Sequence, residues 1–260
     1  MASAPGEGPA RAGRRGLPWG WTLALTGLLL AGGAAVALHS PWLKVHDIEI
    51  IGAERADVTG RLADAGIGPG AFMIWLRPGE IEEVVLADPW VREVRVERVF
   101  PSRLVVEVLE EVPALWAGRG TRWMLLSLTG RIVGEAEAPG EGMLQAQVPY
   151  AGAALGEAPE GSQWDELVAL SQALSPELAA AARVTSEAGE LWISALGWRA
   201  RLGPAEDLAQ KGRAFEALLT AGLPPGAAID LLAPTRPAVS LPEGSATDQG
   251  EPVVEGEDDG

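Results

Sequence analysis

The feature that most constrains this chain is an uncharged, apolar run near its N-terminus, WGWTLALTGLLLAGGAAVAL, at residues 19–38. A helix of that length spans about 30 Å, roughly the hydrocarbon thickness of a bilayer. Trp19 and Trp21 lie at one end of the run and Trp42 follows the other end, where aromatic residues favour the membrane interface. The run predicts a single transmembrane helix with these three tryptophans at the interfaces.

The charges that flank the run predict its orientation. Arg11, Arg14 and Arg15 precede it, whereas the segment after it mixes positive and negative residues. The positive-inside rule therefore places the N-terminus in the cytoplasm and everything after residue 40 outside it. A cleaved signal peptide is the alternative, because Ala35 and Ala37 provide small residues for cleavage. The run exceeds the usual apolar core of a signal peptide, which favours an uncleaved anchor.

Composition restricts the possible functions. The 260 residues include 20 Lys and Arg against 36 Asp and Glu, a formal net charge of −16. This argues against nucleic-acid binding, which needs basic surface to neutralise phosphates. Cysteine is absent, and the two histidines, His39 and His46, are too few for a multi-histidine zinc site and poorly placed for a catalytic relay. We therefore expect no enzyme activity, no cofactor and no metal site.

Two tails flank the part of the chain that we expect to fold. Residues 1–18, rich in Gly, Ala, Pro and Arg, predict a disordered cytoplasmic tail. Residues 242–260 contain seven acids and no Lys or Arg, which predicts an acidic disordered tail. Between them we expect a first domain at 43–112 and a second at 113–241.

The first domain reads as strand, helix, helix, strand, strand. LKVHDIEIIGA favours a strand, and ADVTGRLADAG and RPGEIEEVVLADP favour two helices. Two amphipathic strands follow, and Pro101 lies in their connection because proline cannot donate to a sheet ladder. The residues expected to face one core are Val94, Val96, Leu104, Val106 and Val108. This order predicts a small sheet with two helices on one face and no catalytic cleft.

The second domain alternates strands and helices. Glycine turns at 118–120 and 129–130 separate strands, and Ser162 with Asp165 matches a capping box before a helix. Ser175-Pro176 restarts that helix, a hairpin follows at 189–203, and a helix that ends at Gly222 precedes a last strand pair with strands at 230–232 and 238–241. The predicted fold class is α+β, with a larger mixed domain rich in antiparallel strand.

Polar and aromatic residues in these domains have structural interpretations. Glu110 and Glu111 are adjacent in a strand and so point to opposite faces, which excludes a paired-carboxylate site and predicts that they end the strand in solvent. Tryptophans in amphipathic segments are expected in the core. These are Trp116, Trp123, Trp164, Trp192 and Trp198.

Several segments in this order resemble the FtsQ/DivIB family of bacterial cell-division proteins, with a POTRA domain at residues 43–112. They are VHDIEIIGA, GEIEEVVLADPWVREVRVERVFPSRLVVEVLEEVPALW, SLTGRIVGE, LGPAEDLAQKGRAFEALL and IDLLAPTRPAV. The resemblance covers about residues 19–241 and is most specific between Pro89 and Pro113.

The resemblance implies a non-catalytic, membrane-anchored scaffold of the division machinery at the septum. It implies that the C-terminal strands bind small coiled-coil division proteins, FtsB and FtsL, by strand addition, and the POTRA domain could bind other division proteins. The corresponding candidate edge contains Ala233, Arg236, Ala238, Val239, Ser240 and Leu241. The family often has an arginine and an aromatic residue after Asp-Leu, where this chain has Leu232 and Ala233.

Two alternatives stay open at this point. The first is an exported POTRA-type protein that binds polypeptides in a secretion or envelope-assembly system. The second is an anchored enzyme outside the cytoplasm, which is disfavoured because no polar cluster shows catalytic spacing.

Overall fold

The computed structural model of the protein describes residues 19–38, 41–149, 152–224 and 226–241. The two predicted tails, 1–18 and 242–260, lie outside the described residues. Helix α1 has the bounds Trp19–Leu38, and its side chains are described for residues 20–33. In the described parts of the chain, no helix combines the length and the apolar character needed to cross a bilayer.

The first domain follows the predicted order of elements. Its strands and helices are β1 (Asp47–Ile51), α2 (Val58–Asp64), α3 (Pro78–Leu86), β2 (Val91–Val99) and β3 (Arg103–Glu110). Among the described residues, the three strands form a sheet in the order β1-β3-β2, in which β1 is parallel and β2 antiparallel to β3.

The amphipathic pattern of β2 and β3 determines which face of this sheet is buried. Leu104 and Val106 are fully buried and Val96 is nearly so, whereas Val94 is half-buried at the margin of the core. Helices α2 and α3 cover this face with Val58, Leu62, Ile81 and Val85. The predicted core is therefore confirmed, except that Val94 is less buried than expected.

The second domain contains a sheet that has nine strands within the described residues. The strands are β4 (Pro113–Arg119), β5 (Arg122–Ser127), β6 (Ile132–Ala136), β7 (Leu144–Gln147), β8 (Arg183–Glu187), β9 (Glu190–Ala195), β10 (Trp198–Gly203), β11 (Ala228–Asp230) and β12 (Ala238–Ser240). Their order across the sheet is β12-β11-β10-β9-β8-β7-β4-β5-β6. Helices α4 (Gln163–Ala173), α5 (Pro176–Ala181) and α6 (Leu208–Thr220) complete the domain.

This sheet is mixed and mostly antiparallel, as the sequence predicts, with five of its eight described strand pairs antiparallel. Three pairs within the described residues are parallel, namely β4 with β7, β7 with β8, and β10 with β11. Helical connections return the chain to the same end of the sheet for two of these pairs, since α4 and α5 separate β7 from β8 and α6 separates β10 from β11. Strand direction depends on these long connections, which local alternation of apolar residues does not reveal.

The core of the second domain lies between the sheet and its helices. Trp164, Leu167, Leu170 and Phe215 of the helices are buried against the apolar side chains of the strands. Trp116 is buried on the opposite face in a small cluster that includes Trp90 of the first domain. The other predicted core tryptophans, Trp123, Trp192 and Trp198, are half-buried.

The capping box predicted at Ser162 does not form. Ser162 has φ −62° and ψ −17°, and its side chain makes no capping hydrogen bond. These angles are already helical, whereas a capping serine adopts an extended conformation that aims its oxygen at the free backbone N–H groups. The restart of the helix at Pro176 is confirmed.

The prediction that Glu110 and Glu111 both end in solvent is wrong, although they do point in opposite directions. Oε1 of Glu110 accepts hydrogen bonds from the backbone N–H groups of Glu54, Arg55 and Ala56 at 2.6–2.8 Å. Glu111 is 2 % exposed and turns toward the second domain. The Glu110 carboxylate is thus hydrogen-bonded within the first domain, and the Glu111 carboxylate contacts Thr129 and Arg131 of the second domain.

Candidate partner-binding edge

Strand β12 forms one edge of the nine-stranded sheet. It pairs antiparallel with β11, with Ala228 opposite Ser240, Ile229 opposite Val239 and Asp230 opposite Ala238. Within the described residues no strand pairs with the other side of β12. The sequence places the preceding strand at 230–232, but β11 ends at Asp230 because Leu232 already belongs to the turn, where its N–H donates to Asp230 Oδ1 at 2.9 Å.

The structure separates the six predicted edge residues into two groups. Ala238, Val239 and Ser240 form β12. Ala233 and Arg236 lie in the turn before it, where the Arg236 N–H donates to the Ala233 carbonyl at 2.9 Å, and Leu241 follows the strand and is exposed. Only the first group offers backbone groups at a sheet edge.

Side chains of β12 alternate between the two faces of the sheet. Val239 pairs with the buried Ile229 and is half-buried, whereas Ala238 and Ser240 are exposed on the face that the helices leave uncovered. Both exposed side chains are small. They therefore leave space above the sheet for the side chains of an added strand.

A row of charged and aromatic residues crosses the exposed face beside this edge. Nε and Nη2 of Arg201 donate to the two carboxylate oxygens of Glu190 at 2.7 and 2.6 Å, and Nη1 donates to Asp230 Oδ2 at 3.3 Å. Arg199 pairs with Glu187 and its guanidinium lies 4.3 Å from the centre of the Trp192 ring. Both arginines of this row are thus paired with carboxylates of the same face.

The geometry of the Arg201 pair affects the pKa values of both groups. The side-chain hydrogen bond from Arg201 lowers the pKa of Glu190, and the hydrogen bond to Glu190 raises the pKa of Arg201. A bidentate guanidinium–carboxylate pair is planar and directional, so it fixes the orientation of both side chains. The pair therefore holds the Arg201 guanidinium in a defined orientation on the face beside β12.

A shallow groove of about 450 Å³ lies on this face, between the charged row and the edge strand. Its lining includes Trp192, Arg199, Arg201, Asp230, Ala238 and Ser240. The groove runs up to β12, so it is placed to receive side chains of a strand that pairs with that edge.

Sequence reasoning missed Trp192, Arg199 and Arg201 as residues of this surface. For the two arginines the signal was present in WRARLG, because Arg199 and Arg201 alternate with the apolar Ala200 and Leu202, which the structure buries. What the sequence does not reveal is that β10 lies two strands from the edge, next to β11.

Leu232 occupies the position where the family often has an arginine. It is 45 % exposed, yet its side chain lies against Gly203, whose φ is +73°. The positive φ favours glycine at residue 203, and a Cβ there would meet the end of the exposed Leu232 side chain, which can shift. The end of β11 is thus packed on β10 through an apolar contact.

The predicted membrane-interface tryptophans are far apart along the chain. Trp21 in α1 is 72 % exposed and Trp42, in the short 3₁₀ turn Pro41–Leu43, is 80 % exposed. Trp19 is the first residue of α1, and its side chain lies outside the described part of the structure. Among the described residues, no cluster of three His, Asp or Glu side chains is arranged to hold a metal ion.

Comparison with known proteins places the first domain in a family. The family described as "POTRA domain, FtsQ-type" matches residues 43–111. A protein named cell division protein FtsQ from Myxococcus fulvus is 35% identical over 103 residues, which cover 38% of this chain and 36% of that protein. The cell division protein FtsQ of Corynebacterium glutamicum is 36% identical over 84 residues, which cover 32% of this chain and 38% of that protein. The matched parts thus span well under half of either relative.

Proposed function

Because this chain belongs to the FtsQ/DivIB family of cell-division proteins, we propose that it is a non-catalytic scaffold of the bacterial division machinery. In this proposal α1 anchors the chain once in the cytoplasmic membrane, with the N-terminus in the cytoplasm and both domains outside. The uncharged, apolar sequence of α1 and the arginines before it support this topology. The protein then acts at the division septum by binding other division proteins.

The observation that carries the proposal is the open edge of β12. A polypeptide that adds to this edge extends the sheet through main-chain hydrogen bonds, and its alternate side chains face the groove. Pro237 and Pro242 bracket the strand, and proline cannot donate to a ladder, so the added segment is short, about four residues. The partners implied by the family resemblance are division proteins similar to FtsB and FtsL.

The ordered face beside β12 supports specificity for such a partner. Trp192 supplies an aromatic surface and Arg201, fixed by Glu190 and Asp230, supplies a positioned guanidinium. Ala238 and Ser240 leave room for larger partner side chains next to them. In this proposal Trp192 of β9 and Arg201 of β10 take the place of the arginine and aromatic residue that the family often has after Asp-Leu.

The POTRA domain offers a less accessible edge for strand addition. On edge strand β2, the Val96 N–H donates to Glu82 Oε1 of α3 at 3.1 Å. The Val96 N–H is therefore not available to an added strand, which makes strand addition at β2 less favourable. Binding of other division proteins to this domain is a second, weaker part of the proposal.

The test compares two truncations of the full-length chain in its native membranes. The chain that ends at Leu232 lacks β12, whereas the chain that ends at Pro242 lacks only the acidic tail. We expect the first to lose co-purification of the FtsB-like and FtsL-like proteins after crosslinking and to cause filamentous cells when it replaces the intact chain. The second should keep both functions.

Equal recovery of the partners with both truncations would contradict docking at β12. Normal division in cells depleted of the chain, with defects in secretion or envelope assembly instead, would favour the alternative POTRA-type function. A thermal melt of each truncated chain shows whether loss of β12 unfolds the second domain.

A further inference from the structure

A group of exposed apolar residues lies in the POTRA domain, far along the chain from β12. We propose that the segment Phe72–Arg77, the 72–77 loop, is a second membrane-contact site. In this proposal Ile74 and Trp75 enter the interfacial layer of the same bilayer that holds α1. The inference rests on the proposed membrane anchor and goes beyond it by assigning a lipid-binding role to a loop of the folded domain.

Backbone hydrogen bonds tie the 72–77 loop to the segment that follows α1. The Val45 N–H donates to the Ala71 carbonyl and the Met73 N–H donates to the Leu43 carbonyl, each at 2.8 Å. Lys44 and Phe72 form an antiparallel bridge between the two segments. These contacts place residues 72 and 73 beside Lys44 and Leu43, so the loop extends from a point close to where the chain leaves the anchor.

Chain length limits how far this point can lie from the membrane. Helix α1 ends at Leu38 and only residues 39–41 separate it from Trp42. An extended chain covers at most about 3.6 Å per residue, so Trp42 lies within about 15 Å of the end of α1. Met73, whose N–H donates to the carbonyl of the next residue, Leu43, is therefore held at a similarly short distance from the bilayer.

The loop exposes side chains that favour a membrane interface. Trp75 is 69 % exposed, Ile74 is 38 % exposed and Trp42 is 80 % exposed. Contiguous exposed apolar side chains mark interaction surfaces, and tryptophan is favoured where one side of a layer is apolar and the other is wet. The lysine at position 44, whose Nζ lies 5.1 Å from the centre of the Phe72 ring, places a cation beside this surface.

The loop is held in shape without a partner. Nη1 of Arg98 on β2 donates to the Leu76 carbonyl at 2.9 Å, and the Trp75 N–H donates to the Phe72 carbonyl at 3.0 Å. At its end, Arg77 pairs with Glu80 of α3 at 2.6 Å. The apolar side chains are therefore presented by a preorganised backbone, which reduces the ordering cost of binding.

The chain allows a direct test because it contains no cysteine. The full-length Ile74→Cys variant carries an environment-sensitive bimane label and is reconstituted into vesicles of equal parts phosphatidylethanolamine and phosphatidylglycerol. Some of the lipid carries a nitroxide quencher. Leu196→Cys is the matched control, because Leu196 is 64 % exposed in the turn between β9 and β10 of the second domain.

We expect lipid nitroxide to quench the label at residue 74 several-fold more than the label at residue 196. Adding Trp75→Glu to the Ile74→Cys variant should reduce that quenching at least twofold. Equal quenching at residues 74 and 196, or no effect of Trp75→Glu, would overturn the membrane contact. Quenching at residue 74 that requires an added division protein would overturn it as well, in favour of a protein partner.

Flotation of the same vesicles separates this inference from the anchor. A chain that fails to float with the vesicles after alkaline extraction would contradict both the anchor and the loop contact. A chain that floats but shows equal quenching at both positions would contradict the loop contact alone and leave the proposed function intact.

Discussion

Thr129 Oγ1 lies 2.8 and 2.9 Å from the two carboxylate oxygens of Glu111, across the junction of the two domains. Arg131 reinforces this contact, because its Nη1 lies 3.6 Å from Glu111 Oε1 and donates to the Val91 carbonyl of β2 at 3.2 Å. Its Nε donates to the Gly156 carbonyl at 2.9 Å. Two residues of the connection between β5 and β6 thus bind the buried Glu111 carboxylate and link the second domain to the POTRA domain.

The first prediction concerns this junction. Thr129→Val keeps the shape of the side chain but removes the hydroxyl, so Glu111 loses a hydrogen-bond donor while it stays buried. We expect a loss of about 1–3 kcal/mol of unfolding free energy. Thr129→Ser retains the hydroxyl and should differ from the native chain by much less. Denaturant unfolding of the full chain measures both, and equal effects of the two variants would show that the hydroxyl does not support Glu111.

The second prediction concerns the POTRA core. Val96→Asp places a carboxylate against Val106 on β3 at a site that is 7 % exposed. We expect a loss of about 3 kcal/mol or more, because the described core cluster around this site consists of apolar side chains, which cannot compensate a buried charge. Val99→Asp, at a site on the same strand that is 40 % exposed, is the control and should cost much less. Similar thermal midpoints for both variants would show that the Val96 side chain does not face the core as assigned.

The third prediction concerns pH. Burial by itself raises the pKa of Glu110, but hydrogen bonds from the N–H groups of Ala56, Arg55 and Glu54 outweigh it and hold the pKa below the ordinary value of 4.5. A carboxylate whose pKa is lowered by folding stabilises the protein above the unfolded pKa and loses that contribution as pH falls through the folded value. Glu110→Gln should therefore destabilise the chain at neutral pH, by about 1.5–3 kcal/mol.

The difference between native and Glu110→Gln chains should shrink as the pH drops below 4.5, because Glu110 of the unfolded chain then becomes protonated before Glu110 of the folded chain, whose pKa is lower. Unfolding curves at several pH values check this. Glu107→Gln, an exposed acid on the same strand, is the control. A difference between the native and Glu110→Gln chains that does not change with pH would mean that shape, rather than charge, holds residues 54–56.

The fourth prediction concerns strand addition at β12. In an antiparallel pair, successive residues direct their N–H groups to opposite sides. Of Val239→Pro and Ser240→Pro, one therefore removes a donor to β11 and the other removes an outward donor. The variant that keeps the thermal midpoint of the native chain should bind the FtsB-like partner about fivefold to tenfold more weakly, because it lacks one hydrogen bond at the edge. Native affinity in both variants would exclude pairing along this edge.

Local pattern was sufficient to predict the POTRA domain. Each of its elements carries its own signal, such as Pro78 in the first turn of α3 and the alternation of Leu104, Val106 and Val108 in β3. Its strands β2 and β3 are joined by a short turn, so their pairing follows from sequence order. The most specific part of the family resemblance, between Pro89 and Pro113, lies largely in the same domain.

The second domain was harder to predict, because its sheet joins strands that are far apart in sequence. β4 pairs with β7 and β7 pairs with β8, although residues 148–182 separate the last two. Short strands such as Leu144–Gln147 carry too few residues to show a period. Their direction and neighbours are selected by burial under α4, α5 and α6, which is a property of the assembled core.

The sequence by itself determined the apolar helix at 19–38, the order of elements in the first domain and the facing of β2 and β3. Only the tertiary structure decided which strand is the edge, that Arg199 and Arg201 lie beside it and that Glu111 is buried at the junction. The physical reason is that periodicity records which face of an element is buried, whereas neighbours across a sheet or junction depend on chain closure over long separations.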